Sequence, residues 1–170
     1  MKTIITTTLI TMSLFATAQN TATPSNIEGK DIYVLLVNTN AYDFVETVQL
    51  SKEQETTVAN FGDRIKMLLS NAKSKNFDAI TTRDGNTVQL IKYKSSSTIT
   101  TATVPNYFGK EVYFLSNPTK KHKVIATKEL TADDLKKHFY KVAESYTKDD
   151  AIVYDAVVIS ENKVQYIVYK

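Results

Sequence analysis

The side chains of this 170-residue chain that could do chemistry are two histidines, eighteen acids and ten tyrosines; cysteine is absent. A covalent nucleophile needs a base held beside it, and the candidates are His122 and His138. His122 sits in "KKHK", at an expected hairpin tip. Its lysine neighbours disfavour a protonated imidazole, and a turn seldom forms a shaped pocket. His138 stands three residues after Leu135 and four before Val142, the spacing of a helix side chain leaning on its core. No HxxxH, HExxH or CxxC spacing occurs, so no metal site is expected. "TTRDGNTV" offers too few oxygen ligands for calcium. The four glycines, at positions 29, 62, 85 and 109, form no phosphate-binding loop, and no cofactor is expected. Paired carboxylates could serve a glycosidase, but no spacing singles out two. The chain therefore does not read as an enzyme.

Recognition chemistry is better represented. Tyr93-Lys94 and Tyr169-Lys170 stand at matching places in the chain. Tyr42 lies in the polar loop "NTNAYD", and Lys120, Lys121 and His122 lie in "SNPTKKHK". These eight residues are the candidate binding surface, suited to a protein segment, a glycan or an anionic polymer. Tyrosine is also a good strand former, which gives the same residues a structural role.

The matching follows from a duplication. "TATPSNIEGKDIYVL" (Thr21 to Leu35) returns eighty residues later as "TATVPNYFGKEVYFL" (Thr101 to Leu115), and "VQLIKYK" (Val88 to Lys94) returns as "VQYIVYK" (Val164 to Lys170). Two copies of one unit predict a pseudo-symmetric pair. The division is a leader over 1–18, repeat 1 over 19–94, a Ser/Thr-rich linker over 95–100 and repeat 2 over 101–170.

Within a unit, "DIYVLLV" is an apolar run suited to a strand buried on both faces. "FVETVQL" alternates with a gap at Glu46 and reads as its hairpin partner. Val58, Phe61, Ile65, Leu68 and Ala72 recur at helical spacing. Leu135, Phe139, Val142 and Tyr146 do so in the second copy, where "TADD" resembles a capping box from Thr131 to Asp134. Asp84-Gly85 marks a turn before the last strand. Gly29 and Gly109 hold equivalent places that call for positive φ. Asp78-Ala79 can match either Asp150-Ala151 or Asp155-Ala156. The expected fold class is α+β: two pseudo-repeats, each strand-strand-helix-strand-strand, with antiparallel sheets and one helix per repeat. A 70-residue unit has a marginal core, so the two are expected to share one. "TATPSN" is expected as an arm laid along its own copy.

Lys2, an apolar stretch from Ile4 to Phe15 and "ATAQ" read as a secretory signal cut after Ala18. The apolar stretch is too short to span a membrane. The absence of cysteine fits a bacterial exported protein, in the periplasm or outside the cell. The net charge of +3 falls to +2 without Lys2 (20 basic against 18 acidic residues). These scattered charges leave no footprint for nucleic acid.

Ala72, Lys73, Asp78, Ala79 and Ile80, where a helix end runs into "NFDAI", form a pattern with possible counterparts at Ala156 and Val157. It resembles small bacterial envelope modules of the YbjQ and RcsF-like type over part of each unit. The resemblance implies a non-catalytic, assembly-forming or binding module. The cysteines and lipid anchor of the RcsF-like proteins have no counterpart in the sequence, so no stress-sensing role carries over. The expected function is a secreted or periplasmic binding protein, with an envelope or extracellular protein or glycan as partner and a homodimer as one option. The alternatives are a small-ligand carrier with a cavity between the repeats and, last, a hydrolase.

Overall fold

The computed structural model describes residues 20–95, 102–149 and 151–170. The expected leader and residues 96–100 of the expected linker lie outside them. The first half contains β1 (Thr21–Ile27), β2 (Lys30–Val34), β3 (Val37–Asn38), β4 (Tyr42–Gln49), α1 (Lys52–Thr57), α2 (Phe61–Asn71), β5 (Ala79–Thr82) and β6 (Thr87–Tyr93). The second contains β7 (Ala102–Thr103), β8 (Asn106–Tyr107), β9 (Lys110–Phe114), β10 (Ser116–Pro118), β11 (His122–Glu129), α3 (Ala132–Lys136), α4 (Phe139–Thr147), β12 (Ala156–Ile159) and β13 (Lys163–Tyr169).

Both halves pair their strands alike, in the orders β1-β2-β5-β6-β4 and β8-β9-β12-β13-β11. β2 runs parallel to β5 with Asp31 opposite Ala79, and β9 runs parallel to β12 with Glu111 opposite Ala156. Asp78-Ala79 thus corresponds to Asp155-Ala156. The β1–β2 turn has positive φ at Glu28 (53°) and Gly29 (77°), and the β8–β9 turn has it at Phe108 (49°) and Gly109 (80°). That is the pattern of a two-residue type I′ hairpin.

The expected fold class is corrected. The described residues are mostly β, 44% strand against 22% helix, in one mixed thirteen-stranded sheet with four helices. Three physical reasons account for the difference. Each expected helix is two, because Asn60 caps a second start by accepting from Asp63 N at 2.8 Å, and Lys137 is extended before α4. β2 and β4 are not a hairpin: the chain crosses over through α1 and α2, so β2 gains a parallel neighbour and β4 pairs with β6 instead. Finally, the Thr/Pro-rich arms, expected along their own copies, are strands that pair in part with the other half.

Those arms are exchanged. Ser25–Ile27 of β1 pairs with β2 of its own half, but Ala22–Pro24 pairs with β10 of the other half. Reciprocally, Ala102–Thr103 pairs with β3. The arms meet at Ala22–Ala102, and β2 meets β9 at Val34–Phe114. Both contacts join residues eighty apart, so both lie on the pseudo-two-fold axis.

The layers follow. On one face of β2 and β9, Ile32, Val34, Val112 and Phe114 pack under the helices. On the other, Tyr33 and Tyr113 pack with Ala22, Ala102, Leu36 and Val104 of the arms and their flanks. Burial on both faces explains the continuous apolar runs. The helix-side core is shared: Phe61, Phe114 and Phe139 meet with centroids 5.1, 5.1 and 4.6 Å apart.

Helix ends are also tied across the halves. Arg83 O and Asp84 O accept from Tyr140 N and Phe139 N, while Glu161 O accepts from Phe61 N. Each closing turn therefore caps the other half's long helix. Arg64 of α2 is 2% exposed and donates to Lys137 O (3.0 Å) and Leu135 O, at the end of α3. Its guanidinium lies 5.4 Å from the Phe139 ring, and Nε has no partner.

Candidate functional site

The eight sequence candidates form two clusters. Tyr42 stands opposite Tyr93 across β4 and β6, with Lys94 following. His122 stands opposite Tyr169 across β11 and β13, and Lys120, Lys121 and Lys170 adjoin them. Tyr93 and Tyr169 pack from the two halves against one cluster that holds Tyr33 and Tyr113, but no hydrogen bond joins the two groups among the described residues.

Tyr93 and Tyr169 are half-buried and internally bonded, whereas Tyr42 is exposed. Tyr93 donates its hydroxyl to Asp31 Oδ2 at 2.8 Å, and Tyr33 OH lies 2.8 Å from Tyr93 OH. In the second half Tyr169 donates to Glu111 Oε2, Tyr113 donates to the same oxygen at 3.0 Å, and the two hydroxyls are 2.8 Å apart. Glutamate reaches one methylene further than Asp31, so both phenols share it. Burial, then the bonds to Tyr33 and Asp31, pushes the Tyr93 phenol well above its ordinary range. Burial, then Glu111 and Tyr113, does the same to Tyr169. Both are neutral hydrogen-bond donors at any physiological pH.

The lysines among them are exposed. Lys94 pairs with Asp43 at 3.0 Å. Lys120 lies 5.3 Å over the Tyr169 ring. His122 Nδ1 is 3.0 Å from Lys120 O and donates to it. His138 is exposed rather than leaning on the core; it precedes α4 and stacks on Tyr140 with centroids 5.7 Å apart. Among the described residues no group of acids and histidines could hold a metal ion, and no helix is long and apolar enough to cross a membrane.

Three cavities adjoin these features. One of about 350 Å³ is lined by Lys30, Asp31, Asp78 and Tyr93. Its two carboxylates both hold Tyr93, Asp31 at the hydroxyl and Asp78 at the backbone N–H (2.9 Å). The other two, about 390 and 490 Å³, are open clefts related by the pseudo-axis. The first runs past Leu35, Gln89 and Pro105, the second past Leu115, Gln165 and Ser25. Each is lined by both halves.

The sheet edges carry what the sequence candidates omit. Among the described residues β4 pairs only with β6 and β11 only with β13. Both edge strands are eight residues long and exposed along most of their length. Each has a bulge at the same place, with Val45 extra between Phe44 and Glu46 and Ile125 extra between Val124 and Ala126. The bulges present Phe44 (59% exposed), Val45 (37%), Val124 (39%) and Ile125 (39%). The gap in alternation at Glu46 was the sequence signal for this feature.

No protein-family description, curated protein or solved structure matches this chain.

Proposed function

We propose that the chain is a non-enzymatic interaction protein of the periplasm or cell exterior that captures extended polypeptide segments along its edge strands. The carrying observation is the pair of eight-residue edges with apolar side chains turned to solvent. An edge strand offers unpaired N–H and C=O groups as a template for a further strand. Apolar side chains at Phe44 and Val124 add selectivity to that template. Natural edges are blunted by lysine, so Phe44→Lys with Val124→Lys tests the reading. The double variant should retain the wild-type unfolding midpoint but lose proteins that the wild type captures from envelope extract. Unchanged capture refutes the reading.

The paired clefts favour a second reading, a small-ligand carrier, because each is lined by both halves and is large enough for a small molecule. Native mass spectrometry of chain purified from its own host would then show a retained ligand of constant mass.

A further inference from the structure

The two edges are complementary, and we infer that the partner strand comes from a second copy of this chain, β4 of one molecule pairing with β11 of the next. This rests on the edge-strand reading above. Strand direction supports it first. β4 runs with β2, because it is antiparallel to β6, which is antiparallel to β5, which is parallel to β2. By the same steps β11 runs with β9. β2 and β9 are antiparallel, so the edges of one molecule point in opposite directions. A copy advanced along the sheet therefore sets its β11 antiparallel to β4 and continues the ladder.

Charge supports it second. β4 carries Asp43 and Glu46, which bridge to Lys94 and Lys75 of the same molecule, and no base of its own; β11 carries Lys123, with Lys128 bridged to Asp149, against Glu129, and follows Lys120 and Lys121. Pairing β4 with β4 sets acids against acids, which is destabilising, and a β11–β11 pair matches Lys123 with Glu129 only in the register that sets Val124 against Lys128. In the mixed pair, the register that sets Phe44 against Ile125 and Val45 against Val124 also sets Glu46 against Lys123. Each molecule keeps one free edge after pairing, so the contact is heterologous and does not close at a dimer.

Sedimentation velocity of the purified chain over a concentration series tests this. The mass should climb past the dimer without a plateau. Glu46→Lys alone and Lys123→Glu alone should each shift the assembly midpoint about tenfold upward in concentration, and the double exchange should restore it. A persistent monomer, a closed dimer or a double exchange that fails to recover overturns the inference. A monomer that still captures envelope protein through Phe44 and Val124 overturns self-pairing alone; loss of that capture as well overturns the parent reading.

Discussion

Replacing Tyr93 and Tyr169 by phenylalanine measures the two tyrosine networks against each other. In Tyr93→Phe the ring remains, but Asp31 loses a charged hydrogen bond and keeps Asn26 Nδ2 at 3.1 Å, while Tyr33 loses one of its partners. A hydrogen bond to a charged group contributes about 1.5–3 kcal/mol and a neutral one about 1. For a half-buried site the loss should be about 2 kcal/mol. In Tyr169→Phe the Glu111 carboxylate keeps Tyr113 and Asn20 as donors, so the loss should be about 1 kcal/mol. The networks share no hydrogen-bonded residue and belong to different halves, so the double variant should lose the sum, about 3 kcal/mol. Urea unfolding at neutral pH reads these values from the midpoint at constant slope. Thermal midpoints should fall by roughly 6 °C and 3 °C for the singles. A Tyr169→Phe loss equal to or above that of Tyr93→Phe would refute the claim that the longer acid is better satisfied. A double loss more than about 0.5 kcal/mol from the sum would refute the independence of the two networks.

Two further outcomes test the joint between the halves and the pH dependence of the second half. Arg64→Met keeps the packing between Phe61 and Phe139 but strips the donors from Leu135 O and Lys137 O; it should cost about 3 kcal/mol in urea unfolding, and a loss below about 0.5 would show that these carbonyls find other partners. Burial raises the Asp134 carboxyl, but bonds from Lys137, Tyr146 and Thr131 outweigh it and hold the group at about 2 against an ordinary 3.8. Because the folded value is the lower one, the stabilisation is complete above about pH 4 and is lost as pH falls towards about 2, amounting to about 2 kcal/mol at most. Unfolding midpoints of wild type and Asp134→Asn, compared at about pH 5 and about pH 2.5, should converge at the lower value; a constant gap between them would count against the bonded carboxylate.

Local chemistry was readable where it is written in single residues. The apolar runs Ile32–Leu36 and Val112–Leu115 announced strands buried on both faces. Thr131 and Asp134 form the expected capping box. Gly29 and Gly109 have the expected positive φ. What stayed hidden depends on partners distant in the chain. "TATPSN" reads as an arm along its own copy, yet Ala22 and Pro24 are buried because the other half supplies their neighbours. Nothing in the sequence around His138 caps α4, since the capping carbonyls belong to Arg83 and Asp84. Tyr93 and Tyr169 were singled out for their chemistry, and their hydroxyls turn out to face Asp31 and Glu111. That pairing depends on parallel strands brought together by the crossover, which periodicity does not encode.

The exchanged arms mean that neither half is a finished unit. Severed from its twin, residues 20–95 would leave Ala22–Pro24 without a strand to pair and β3 without the second arm. Two identical fragments placed about a two-fold axis would fill both gaps at once. The chain therefore carries the bonding pattern of an arm-swapped dimer within one polypeptide, its two halves tethered in fixed one-to-one proportion.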